Sequence, residues 1–108
     1  MDDYYEVRIS AENQLQANKI IDSLLNKKLV TGGQFVHQPA RFLWKRKVID
    51  INYVMINSYT KHQNVDIIIE DVRLTTEEEV PMITFVKIDR LNSELASWID
   101  LTLGSPGI

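Results

Sequence analysis

Glu79-Val80-Pro81-Met82-Ile83-Thr84-Phe85-Val86-Lys87-Ile88, running on into Asp89-Arg90-Leu91-Asn92-Ser93-Glu94-Leu95-Ala96-Ser97-Trp98-Ile99-Asp100, decides the fold of this chain. Pro81 fixes its own φ and has no N–H to donate to a ladder, so it suits the first residue of a strand. Met82 to Ile88 is an apolar run of strand length, rich in residues that fit a pleated surface. Asn92 or Ser93 can cap a short helix in which Leu95, Trp98 and Ile99 recur at helical spacing.

The same reading extends to the start of the chain. Tyr4 to Ile9 alternates as a strand, with Tyr5, Val7 and Ile9 on one face and Tyr4, Glu6 and Arg8 on the other. Ser10 or Asn13 can cap a helix whose stripe is Ala17, Ile20, Ile21, Leu24 and Leu25, with Lys27 and Lys28 expected in its last turn. Thr31-Gly32-Gly33 breaks that pattern. Gln34 to Trp44 and Val48 to Tyr59 then read as a hairpin, and Pro39 marks its first strand as an edge or a bulge. Lys45-Arg46-Lys47 offers no Gly or Asn for a positive φ, so a longer or irregular turn is expected there. Thr60 is placed as the cap of a second helix over 61–73, with Val65, Ile68, Ile69 and Val72 at i, i+3, i+4 and i+7. Gly104 to Ile108 reads as a frayed tail.

The element order βαββαβ plus a terminal helix predicts an α+β, ferredoxin-like sandwich in one domain over 1–108, its four-stranded antiparallel sheet backed by two helices. Tyr53-Val54-Met55-Ile56 and Met82 to Ile88 are apolar on both faces at once, so cover is required on the side the helices leave bare. A large exposed apolar patch usually marks an interface, and the pattern therefore predicts a homo-oligomer.

Bulk properties exclude much. A net charge of −3 gives no broad positive field for polyanions, so nucleic acid is not an expected partner. With no cysteine there is no disulfide, thiolate metal site or thiol nucleophile. Met-Asp-Asp-Tyr-Tyr-Glu has no apolar signal region and no run of 18 apolar residues exists, so a cytoplasmic protein without a membrane span is expected. No Gly-rich phosphate loop, Ser-His-Asp set or nucleophile beside a base is present, and an enzyme is not expected.

Three stretches together resemble the CutA family of divalent cation tolerance proteins: Glu79-Val80-Pro81 with the strand, Asn-containing turn and Leu-x-x-Trp-Ile behind it; Ala17-x-x-Ile20-x-x-x-Leu24-x-x-x-x-Leu29; and Trp44 followed by a basic tip and Val48. The resemblance covers about Tyr4 to Asp100. It implies a homotrimer whose long hairpins cross between subunits, a cytoplasmic signalling role in the response to divalent metal ions, and capture of an ion, a ligand or a protein partner at clefts between subunits. Trp44, Tyr53, Met55, Glu79, Pro81 and Trp98 are the residues expected at that interface or cleft, with the two tryptophans as packing anchors. The chain also departs from the family: Val30-Thr31-Gly32-Gly33-Gln34 lacks its cysteine, Thr76 to Pro81 lacks its His and Tyr, and Arg46 stands where it has glycine. Soft ions want thiolate, thioether or imidazole, so no cofactor is certain, and a divalent metal ion has only Glu79 and His37 to offer it. His37 and His62 lie on different elements, and each reads first as a surface residue. Of Glu77-Glu78-Glu79, consecutive extended residues point alternately and cannot all reach one ion. Arg41, Lys45, Arg46 and Lys47 around Phe42 and Trp44 are expected to pair with Glu70, Asp71 or Glu77 of another subunit. Two other readings stay open: a regulatory domain sensing a small metabolite or nucleotide, as in ACT or PII-like proteins of this fold, and a structural scaffold.

Overall fold

The computed structural model describes residues 3–104. Its elements are β1 (Tyr4–Ala11), α1 (Gln14–Asn26), β2 (Gln34–Trp44), β3 (Lys47–Lys61), one 3-10 turn (His62–Asn64), α2 (Val65–Thr75), β4 (Ile83–Lys87) and α3 (Ser93–Leu103). The antiparallel sheet runs β2-β3-β1-β4, the ferredoxin-like arrangement expected from the element order.

α1 begins where Asn13, in extended backbone, accepts a hydrogen bond from the Gln16 N–H at 2.9 Å, so Asn13 rather than the buried Ser10 is the cap. Its Ala17, Ile20, Ile21 and Leu24 meet Val7, Ile9, Val54 and Ile56 of the sheet and Ile68 and Val72 of α2 in one core, which Ile83 and Phe85 flank. The alternation of β1 is as expected, with Val7 and Ile9 facing inward. Gly33 is required by close approach: a Cβ there would lie 2.8 Å from Ile21 Cγ1.

Several expectations are corrected. Lys27 and Lys28 lie beyond α1 rather than in its last turn; Lys27 pairs instead with the buried Asp71, which also accepts from the Ser23 hydroxyl at 2.8 Å. β3 continues to Lys61, so Thr60 is no helix cap. It is a buried strand residue whose hydroxyl donates to the Leu29 carbonyl at 2.6 Å. The hairpin turn is tight, not long. Trp44 pairs with Lys47, and Lys45 (φ 48°) and Arg46 (φ 68°) both take the left-handed region, as the strand twist demands of a two-residue loop. Pro39 sits in edge strand β2 opposite Asn52 without a bulge, since the register runs unbroken. β4 is shorter than the apolar run, and Pro81 precedes it in the connection. Gly104 closes α3 with φ 77°, and the rest of the expected tail, 105–108, lies outside the described residues.

The sheet face opposite α1 and α2 is not wholly bare. α3 crosses its end, where Ile99 is buried and Asp100 meets Lys61 and Tyr4. Lys61 Nζ lies 2.8 Å from Asp100 Oδ1 in a fully buried side chain, and the Tyr4 hydroxyl donates to the same carboxylate at 2.9 Å. Met55, expected to need cover from another copy, is 6% exposed within the chain. Cover ends further along the strand: Ile51 and Trp44 are each 37% exposed, and Val86 of β4 is 55% exposed.

Candidate functional site

Strand alternation puts Phe42, Trp44, Ile49, Ile51 and Tyr53 on the same side of the hairpin, the side away from α1 and α2. The hairpin curls over the connection that leads into β4, and Lys45 at its tip lies 3.2 Å from Glu79 Oε2 and 5.4 Å from the centre of the Trp44 ring. Between hairpin and connection lies a cleft of about 490 Å³. Phe42, Trp44, Ile49, Ile51 and Tyr53 form one wall; Glu78, Glu79, Val80 and Met82 form the other, with Ser10 and Glu12 at the end of β1. The Phe42 and Tyr53 rings are 6.0 Å apart and tilted.

Ser10 ties the acidic wall to the sheet. Its hydroxyl donates to Glu78 Oε2 at 2.9 Å and accepts from the Met82 N–H at 2.9 Å, and its own N–H donates to the Met82 carbonyl at 2.9 Å. Thr76 adds a turn, its hydroxyl accepting from the Glu78 N–H at 3.1 Å. Burial pushes the Glu78 carboxyl above its ordinary value; the Ser10 hydrogen bond opposes this, and the nearby Glu12 charge reinforces it.

The cleft gathers Trp44, Tyr53 and Glu79 from the residues expected at an interface. Pro81 lines an adjoining hollow that shares Glu78, Glu79 and Val80 with the cleft and adds Ile69 and Arg73. Met55 is buried, and Trp98 stands on α3, 47% exposed. Trp44, on the hairpin, is 37% exposed within the chain. The basic tip finds partners in its own chain, Lys45 with Glu79 and Arg41 with Asp50 at 2.7 Å, while Asp71 is occupied by Lys27. Glu78 and Ser10 were missed because a middle glutamate in an acidic run and a serine after a strand carry no spacing signal.

His37 and Glu79 do not converge. His37 Nε2 is 3.1 Å from Gln14 Oε1 in a hollow beside Pro39 and Asn52, whereas Glu79 faces Lys45. His62 packs on Tyr5, ring centres 5.9 Å apart. Among the described residues no three His, Cys, Asp or Glu stand together as a metal site. The described residues of one chain therefore do not fit a resident metal ion.

Residues 6–102 match the family model described as CutA1 divalent ion tolerance protein. No curated protein matches the chain in sequence. Among solved structures, the chain is similar to the CutA1 divalent ion tolerance protein of Ehrlichia chaffeensis, at TM-score 0.89 and 14% identity over 97% of this chain and 99% of that one. The periplasmic divalent cation tolerance protein CutA of Archaeoglobus fulgidus superposes at TM-score 0.88 and 23% identity, over 93% and 98%. The protein from Thermus thermophilus does so at 0.87 and 20%, over 94% and 99%.

Proposed function

This chain belongs to the CutA1 divalent ion tolerance family, and from that premise we propose that it acts without catalysis, as a self-assembling binding protein in the tolerance of divalent ions. Copies join as a homotrimer through the uncovered part of the sheet and the long hairpin, and an ion or ligand is captured at clefts between them. The observation that carries this is the apolar wall of Trp44, Ile49 and Ile51 on the outer part of the hairpin, where Trp44 and Ile51 are each 37% exposed. Exposing such a wall to water is unfavourable by roughly 25 cal/mol for each Å².

Sedimentation at micromolar protein tests the assembly: a mass about three times 12.5 kDa supports it, and 12.5 kDa defeats it. Ion capture has to draw on more than one copy, since His37 and Glu79 of one chain stand in separate hollows. His37 joined by glutamates of a neighbouring subunit is the arrangement proposed. Copper or zinc titration should then release heat and raise the melting temperature in wild type but not in a His37→Ala variant; a silent titration removes the idea. The same proposal covers one domain over 1–108, a site of action in the cytoplasm, and the option of an unidentified protein partner. Among the described residues no helix is long and apolar enough to cross a membrane, and the similar protein of Archaeoglobus fulgidus is described as periplasmic, so cell fractionation decides the compartment. A second reading, capture of a small organic molecule, is favoured by the aromatic lining of the cleft.

A further inference from the structure

We propose that Glu6 and Arg8, neighbours on the sheet face opposite α1 and α2, form the polar lock between copies of this chain, Arg8 of one copy pairing with Glu6 of the next. This rests on the homotrimer reading and goes beyond it by naming the contact that fixes how the copies meet.

Strand register places the two charges. Along that face β1 presents Tyr4, Glu6, Arg8 and Ser10. Tyr4 is held by the Asp100 carboxylate under α3, and Ser10 by Glu78 and Met82 at the cleft. Glu6 and Arg8 lie between these fixed ends. Glu6 stands between Tyr59 and Val86, and Arg8 between Asn57 and Thr84. Both charged residues are exposed. Among the described residues, neither side chain has a hydrogen-bond or ion-pair partner. With Gln34, Asn57 and Tyr59 they surround a hollow of about 370 Å³, room enough for side chains of another copy. Asn57 Oδ1, in the same row as Arg8, is buried without a donor. Exposed Val36, Val86 and Ile51 frame this polar patch.

Charge selects the occupant. Covering the face strips water from both charges, and an apolar partner would leave them buried and unpaired, which is costly. A partner of one sign would satisfy one charge and repel the other. A second copy brings one of each sign, roughly 7 Å apart along its own β1. In a closed ring the contact is heterologous, so each copy gives Arg8 to one neighbour and Glu6 to the other. The guanidinium has five N–H donors; two can hold Glu6 of the partner subunit while another serves Asn57 Oδ1 across the ladder. The apolar frame supplies most of the affinity, and the ion pair fixes register and excludes other partners.

Sedimentation of the full-length protein at micromolar concentration reads the contact, with circular dichroism reporting the fold. Arg8→Glu and Glu6→Arg should each weaken association by roughly a hundredfold or more, because each sets like charges face to face. The two reversals move net charge in opposite directions, so a loss shared by both is not an effect of overall charge. Glu6→Arg with Arg8→Glu restores opposite pairing and should recover the wild-type mass. Single reversals that assemble as well as wild type, or a double variant no better than the singles, overturn the proposal. If a reversal unfolds the chain, Glu6→Gln, Arg8→Gln and their double run the same cycle. A double that loses less than the summed singles then supports the pair, and additive losses overturn it. A wild-type mass of 12.5 kDa defeats the homotrimer reading and this contact with it. A wild-type trimer indifferent to the reversals removes this contact alone.

Discussion

β3 is a single strand of 15 residues with two unlike halves. From Val54 to Lys61 it is buried on the face toward α1 and α2 and buried or half-buried on the other, whose end α3 crosses. From Lys47 to Asn52 it is mostly open on both sides, although Val48, Ile49 and Ile51 are as apolar as Val54 and Ile56. Composition does not separate the halves; reach does. α1 and α2 end short of the hairpin tip, so the inner half is completed by its own chain and the outer half stays open within it.

The largest expected effect lies in the inner half. Ile56→Ala should lower the unfolding free energy by about 3 kcal/mol, because the site is closed on every side and cannot collapse. Its denaturation midpoint should fall at unchanged slope. Ile51→Lys should leave the circular dichroism of the fold intact while abolishing assembly. A folded Ile51→Lys trimer would erase the distinction between the halves.

Next in size is the latch that holds α3 over the inner half. Asp100→Ala removes the charged hydrogen bond between Lys61 and the partly exposed Asp100 and should cost roughly 2 kcal/mol in urea unfolding. In the wild type, the Lys61 hydrogen bond, aided by Tyr4, holds the Asp100 carboxyl below its ordinary value against opposing burial. A carboxylate with a depressed folded pKa stabilises at neutral pH, and that contribution disappears as pH falls below the ordinary carboxylate range and through the folded value. The acid limb of the stability curve should flatten in Asp100→Asn; an unchanged limb would mean that the latch carries no weight.

At the hairpin tip the effect is smaller and of opposite sign. Replacing Lys45-Arg46 by Asn-Gly puts residues suited to the left-handed region where two long side chains now occupy it. This should stabilise the hairpin by about 1 kcal/mol, less whatever the Lys45–Glu79 pair contributes. Thermal denaturation of the double variant shows the sign, and destabilisation beyond that pair would contradict the tight turn. Smallest is Glu78→Gln. A carboxyl with a raised folded pKa favours the folded state less as pH rises from its unfolded value through its folded one, so the variant should lose that downward slope and keep the Ser10 hydrogen bond.

Much of the inner half was legible in the sequence, because α1's stripe and β1's alternation record which side of each element is covered. The tight turn was not: its geometry is imposed by the twist of the two long strands, against the preference of Lys45 and Arg46. Nor was the burial of Lys61, which reads as an ordinary polar residue until α3 brings Asp100 to it. Trp44, Tyr53 and Glu79 were found as cleft residues through a family likeness, whereas Ser10, Glu12 and Glu78 complete the cleft through chain curvature that no spacing encodes.

Hydrogen exchange resolved along β3, compared between wild type and Ile51→Lys at micromolar concentration, tests most directly whether the outer half is completed by other copies. Slow exchange should extend over Val48 to Ile51 in the wild type and collapse there in the variant, while Val54 to Ser58 stays slow in both. Equal exchange of Val48 to Ile51 in the two proteins would contradict it.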